Sequence, residues 1–265
     1  MFTEQFLLDP LFRSRKLFYA VYIFIGLPIF FGSPYSALAE TEPPLKELPR
    51  ATFRTSPPIY KEWNFEKGKE GSVPALFKAH TVGGPTTDNW EITSISGAPS
   101  GTHTVVQSAT CPQLSCIHVL LANDIDLQYV DLAVRLRKQS DMPGSGGVIF
   151  AAKDEKNFYG VLFDPQAKLM QAIRVLDGKI SVMAEENFEP EDVDWHLLRI
   201  QRRTIVSRDF VNIHLDHHRI LSVSGSELQS GSVGVVTTGQ SPYAFDNLRA
   251  IEIITGRPLS RPPAY

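Results

Sequence analysis

The densest group of side chains able to hold or move a charge is His214-x-Asp216-His217-His218. On a strand, His214 and Asp216 share a face, because side chains alternate with period two. Imidazole and carboxylate together suit zinc or copper. The plainer reading is a solvated hairpin tip, since turns expose polar side chains without any function. A second group, Asp246 and Asn247 with Asp164 or Asp154, offers the oxygen ligands that calcium prefers. Turn chemistry also explains those residue types. Calcium is thus a candidate cofactor, and the sequence requires none. The acidic residues Glu185, Glu186, Glu189, Glu191, Asp192 and Asp194 crowd into one run. Glycoside cleavage needs two carboxylates about 5–9 Å apart across a cleft, and a single run reads first as a solvated loop.

Several chemistries are excluded. The chain has no G-x-x-x-x-G-K-[ST] loop, no G-x-G-x-x-G after a strand, no G-x-S-x-G elbow and no H-E-x-x-H. Nucleotide hydrolysis, dinucleotide redox chemistry and serine-esterase chemistry are not indicated. The net charge of −3 lacks the basic footprint that nucleic acid demands, and it does not favour anionic lipid head groups.

The elements that must position these residues are strands. From Tyr129 to Arg137, Leu132, Val134 and Leu136 face one side, while Asp131, Ala133, Arg135 and Arg137 face the other. Val211, Ile213 and Leu215 alternate with Asn212 and His214 in the same way. Asp177-Gly178 joins Lys168–Leu176 to Lys179–Glu185 as a two-residue hairpin turn. Trp90 and Trp195 are expected in the core. A short helix or irregular segment is expected at Glu186–Asp194, which is acidic and holds Pro190. About 12 strands are expected between Trp63 and Ile254. That exceeds what one open sheet carries, so the fold class is all-β: two packed antiparallel sheets, a jelly-roll sandwich with one concave face.

The first 39 residues read as an export signal or N-terminal anchor. Arg13, Arg15 and Lys16 flank the apolar run Leu17–Phe31, and Ala37-Leu38-Ala39 supplies a cleavage pattern before Glu40. The run is short for a bilayer, which needs about 20 residues. Cleavage would leave 226 residues, with 23 basic against 27 acidic side chains. An uncleaved leader would tether the chain to the membrane through residues 17–31. Either way the rest is expected outside the cytoplasm, periplasmic or extracellular. Residues 40–58 form a Pro-rich linker, 59–255 the globular domain and 256–265 a flexible tail. Cys111 and Cys116, the only cysteines, are expected to form a disulfide in an oxidising compartment.

Five motifs in order carry a resemblance. They are Gly146-Gly147-Val148-Ile149-Phe150 with Asp154, Asn157-Phe158-Tyr159 and Leu162-Phe163-Asp164; Trp195-His196-Leu197-Leu198-Arg199-Ile200; Leu215-Asp216 before Arg219-Ile220-Leu221; Gly231-Ser232-Val233-Gly234-Val235; and Phe245-Asp246-Asn247-Leu248-Arg249. Trp63-Asn64-Phe65 looks like the opening strand. Together they resemble concanavalin A-like, laminin-G-like jelly rolls, and most nearly the group of 3-keto-disaccharide hydrolase domains. The chain departs from that group with Asp216-His217-His218 where it has an Asp-Gly-Lys turn, and with Ala151 where relatives often carry a basic residue. It also lacks the E-x-D-x-x-E strand of laminarinase-like jelly rolls.

The resemblance implies saccharide binding, or in some members cleavage of oxidised glycosides. It gives Arg135, Arg137, Lys153, Tyr159 and Arg174 a role lining a concave binding face, because guanidinium forks bond hydroxyls and aromatic faces stack on sugar rings. The alternative is that they are ordinary strand residues. Three functions remain open: a non-catalytic carbohydrate-binding module, a 3-keto-glycoside hydrolase-like enzyme, and a structural subunit of an envelope complex.

Overall fold

The computed structural model describes residues 57–84, 89–108, 116–205, 208–225 and 229–254. The chain divides into two units, Met1–Arg50 and Ala51–Tyr265, and every described residue belongs to the second. The apolar run Leu17–Phe31, the expected cleavage site, Cys111 and the tail lie outside the described residues.

Fifteen strands follow one another: β1 (Tyr60–Trp63), β2 (Phe77–Val82), β3 (Trp90–Ser94), β4 (His103–Gln107), β5 (Ile117–Ala122), β6 (Val130–Lys138), β7 (Gly144–Asp154), β8 (Asn157–Asp164), β9 (Leu169–Leu176), β10 (Lys179–Asn187), β11 (His196–Ile205), β12 (Arg208–Leu215), β13 (His218–Ser224), β14 (Ser232–Gly239) and β15 (Tyr243–Glu252). No helix occurs among the described residues. The strands form an eight-stranded sheet, ordered β13-β12-β11-β6-β15-β4-β3 with β1 also on β15, and a seven-stranded sheet, ordered β10-β9-β8-β7-β14-β5-β2. Every pairing is antiparallel. This is the two-sheet sandwich of jelly-roll type that the alternation demands. The expected dozen strands fall short of fifteen because β1, β3 and β4 are only four or five residues long, too short to display a period.

The core lies between the sheets. Leu132, Val134 and Leu136 of β6 meet Val148, Phe150 and Val161 of the opposite sheet in one cluster. Val211, Ile213 and Leu215 of β12 join it, as their alternation requires. A second apolar cluster draws only on strands of the seven-stranded sheet and contains Val119, Ile149, Phe158, Ile173, Val175 and Val236. These residues alternate with inward-facing neighbours, so they occupy the outer face of that sheet. β5 is accordingly buried at all six positions. The outer face of the eight-stranded sheet is polar instead. There Asp131 receives both Arg199 and Gln201, with the Arg199 Nε at 2.7 Å.

The motif residues have structural duties. A β-carbon on Gly146 would overlap the Tyr243 ring, and one on Gly147 would overlap the Val161 carbonyl. Asp154 accepts from the Lys156 amide at 2.8 Å and the Asn157 side chain at 2.9 Å, which closes the β7–β8 turn. Asp164 accepts from the Gln166 amide at 3.0 Å. Asp246 is buried in β15 and accepts from the Ser100 amide at 2.8 Å and hydroxyl at 2.5 Å, and from the Asn247 amide at 2.6 Å.

Of the two alternatives for Glu186–Asp194 the structure shows the irregular segment, at residues 188–195, after Glu186 and Asn187 complete β10. One expectation requires correction. Trp90 is buried against Phe245, whereas Trp195 is only half-buried. The inward position at the start of β11 belongs to His196, which shares the parity of Leu198 and Ile200.

A cleft floored by three oriented nitrogen side chains

The end of β6, the β8–β9 turn, the β10–β11 loop and the first residue of β11 surround a cleft of about 440 Å³. Its lining includes Arg137, Lys138, Lys168, Glu189, Asp194 and His196. The later part of the acidic run, Glu189 to Asp194, therefore forms one wall of this cleft, and the chain brings it there because Pro190 and the charges around it cannot continue β10.

His196 is fixed from below. Its Nδ1 lies 2.6 Å from Asp216 Oδ2, and Asp216 Oδ1 accepts from the Leu197 amide at 2.7 Å. The two side chains are 8% and 7% exposed. Asp216 and His217 take positive φ values of 46° and 74°, as a two-residue turn between β12 and β13 requires. That turn points the carboxylate back at β11. Burial alone would raise the Asp216 carboxyl, but the bonds from His196 and Leu197 hold it below its ordinary range. An ionised carboxylate can only accept, so the proton of the pair is assigned to His196 Nδ1. In the neutral ring this leaves the lone pair on Nε2. The ring also meets Phe163 edge-on at 4.9 Å.

Lys138 and Arg137 complete the floor. Lys138 Nζ donates to Asp164 at 2.9 Å and to Gln166 at 3.3 Å, with its side chain 8% exposed. Arg137 donates to Asp194 at 2.7 Å and lies over the Trp195 ring at 4.9 Å. Each of the three nitrogen groups is thus held by its own aspartate. At the rim, Lys168 binds Glu189 at 2.6 Å and His218 binds Glu191 at 3.3 Å. These rim pairs are solvated and add little stability.

Of the five residues expected on one binding face, only Arg137 lines this cleft. Arg135 lies beside it on the outer face of the eight-stranded sheet and donates to the Trp195 carbonyl at 3.4 Å. Tyr159 is buried between the sheets, stacked on Phe150 at 5.7 Å, and Arg174 stands opposite it in the β8–β9 register. Lys153 is exposed at the end of β7 and reaches Ser230 at 3.3 Å. It lines a second open cleft with Lys78, His80, Asp124, Asp126 and Glu155, none of which is buried.

The candidate metal ligands are dispersed as well. Asp216 serves His196, Asp246 and the Asn247 amide bind one another beside Ser100, and His218 faces Glu191. His214 lies on the outer face of β12, where burial and then Arg199 and Arg219 push its imidazole down. Among the described residues no three His, Cys, Asp or Glu side chains gather around one point. His196 was missed as a site residue. Its signal was present in Trp195-His196 and Leu215-Asp216, two motifs that meet only in the folded sheet.

No family model and no curated protein matches the chain. Among solved structures it is similar to a carbohydrate-binding module, CBM66, from Bacillus subtilis, with a TM-score of 0.47 and 17% identity over 60% of this chain and 93% of that one. It is similar to a Bacillus licheniformis beta-glucanase, with a TM-score of 0.46 and 10% identity over 76% and 100%. Peanut lectin gives a TM-score of 0.44 and 10% identity over 76% and 100%.

Proposed function

We propose that this protein is an exported carbohydrate-binding-type module that holds a saccharide in the cleft over His196, Lys138 and Arg137. The observation that carries this reading is the set of three nitrogen groups, each oriented by one aspartate. A sugar hydroxyl both donates and accepts. His196 Nε2 can accept from it, while the Lys138 and Arg137 nitrogens donate. Groups locked before binding lose little freedom on binding. The second cleft has no buried polar side chain, which favours the first as the specific site.

The module is non-catalytic in this reading. Of the four carboxylates in the cleft lining, Glu189, Glu191 and Asp194 are engaged by Lys168, His218 and Arg137, which leaves Asp192 without the second carboxylate that glycoside cleavage needs. Export rests on the leader and its A-x-A pattern. A Cys111–Cys116 disulfide belongs to the same reading, and Cys116 is buried.

A second reading keeps the cleft and adds turnover of the 3-keto-glycoside type. The His196–Asp216 pair favours it, since an imidazole oriented by a carboxylate is a competent base.

A glycan array followed by calorimetry tests the proposal. Saccharide binding that weakens in Arg137→Ala and His196→Gln supports it. Absence of binding to any arrayed glycan, or binding indifferent to both substitutions, sinks it. Product formation from a keto-glycoside would transfer the assignment to the second reading.

A further inference from the structure

We propose that β10 is a self-association edge, along which two copies of the chain pair antiparallel about a two-fold axis at Ser181. β10 ends the seven-stranded sheet, and no described residue pairs with its outer side. Leu176 and Lys179 face each other across the Asp177-Gly178 turn, so they form the hydrogen-bonded pair that closes a two-residue hairpin. Backbone groups then alternate. Lys179 and Ser181 direct theirs to β9, and Ile180 and Val182 direct theirs outward.

The same two residues leave large apolar side chains in water. Ile180 is 40% exposed and Val182 50% exposed. In register they stand beside Val175 and Ile173 of the outer apolar cluster. An axis at Ser181 sets Ile180 opposite Val182 of the second copy, and Val182 opposite its Ile180. Both pairs fall on the same face, and both carry outward backbone groups, so four ladder hydrogen bonds form. Shifting the register by one residue would place apolar side chains opposite inward-facing ones. Lys179 begins the strand and Glu185 and Glu186 end it, so antiparallel copies bring each Lys179 toward the acidic end of the other, and Asp177 beside Lys179 offsets part of the attraction. The bulge between Val182 and Ala184 bounds the seam without interrupting it. Edges are usually blunted by charge or proline, and Ile180–Val182 carries neither.

A seam this short buries less than the roughly 800 Å² per partner of a stable interface, so the association is weak and reversible. The experiment is sedimentation of the full chain across a wide concentration range, with oxidative cross-linking of two variants. The average mass should climb from one chain toward two, and Val182→Lys should abolish the rise while leaving the circular dichroism unchanged. Ser181 meets itself at a non-hydrogen-bonded position with Cα atoms about 4.5 Å apart, within disulfide reach of roughly 4.4–6.8 Å. Ser181→Cys should therefore cross-link, and Ile180→Cys, which faces Val182, should not. A single-chain mass throughout with no cross-link from Ser181→Cys overturns the proposal. So does a dimer that persists in Val182→Lys, or one captured equally well by Ile180→Cys, because either would assign association to another face.

Discussion

His196 and Asp216 are 20 residues apart in sequence and 2.6 Å apart in space. The chain runs out along β11, returns along β12 and turns at Asp216, so the hairpin delivers its own tip to its own starting point. The carboxylate then secures both the imidazole and the Leu197 amide.

Asp216→Asn should destabilise the domain by about 1.5–3 kcal/mol at neutral pH, the range for a hydrogen bond to a charged group. The Asp216 carboxyl is held below its unfolded value. Its contribution is therefore complete above the unfolded carboxylate range and disappears as pH falls through the lower, folded value. Urea unfolding at neutral and strongly acidic pH checks this. The gap between wild type and variant should close in acid.

Gly147→Ala should cost more than about 2 kcal/mol, because the new methyl group meets the Val161 backbone. In a domain of this size that lowers Tm by at least roughly 4 °C. Thermal unfolding followed by circular dichroism gives the answer. An unchanged Tm would mean that β7 and β8 lie further apart than described.

Asp131→Asn should remove about 1 kcal/mol, since the Arg199 partner is 42% exposed. The loss should shrink further as salt is added. Burial would raise the Asp131 carboxyl, but the Arg199 and Gln201 bonds hold it down. Its small contribution therefore also fades as pH falls. Paired denaturation curves at low and high ionic strength measure both effects.

Arg137→Ala should leave stability within about 1 kcal/mol, because its Asp194 partner is exposed. Saccharide affinity should nonetheless fall about tenfold, equivalent to 1.4 kcal/mol. Calorimetry on the folded variant separates the two quantities.

Much of this was legible in the residues. The alternation in β6 and β12 gave the inward faces correctly, and Asp177-Gly178 marked its hairpin. Parity alone could not say which side of a strand meets the other sheet. Arg135 and Arg137 thus share a face that Tyr159 and Arg174 do not. The apolar outer face of the seven-stranded sheet also escaped notice. Runs such as Val148-Ile149-Phe150 and Ile117–Ala122 are buried on both sides, and a strand buried on both sides has no alternation to read. His196 was hidden for a different reason. Its partner is supplied by tertiary geometry, and its neighbour Trp195 was the more obvious candidate for the inward position.

The last two strands occupy the middle of the two sheets. β14 lies between β5 and β7, and β15 lies between β6 on one side and β4 with β1 on the other. Neither layer can close until its late central strand, β14 or β15, is available. Until β14 and β15 emerge, the growing chain holds separate ladders, β2 with β5, β3 with β4, β6 with β11–β13 and β7–β10, that the last two strands then join. Under the proposed export, a chain whose two layers still lack their central strands is the form threaded through a narrow pore.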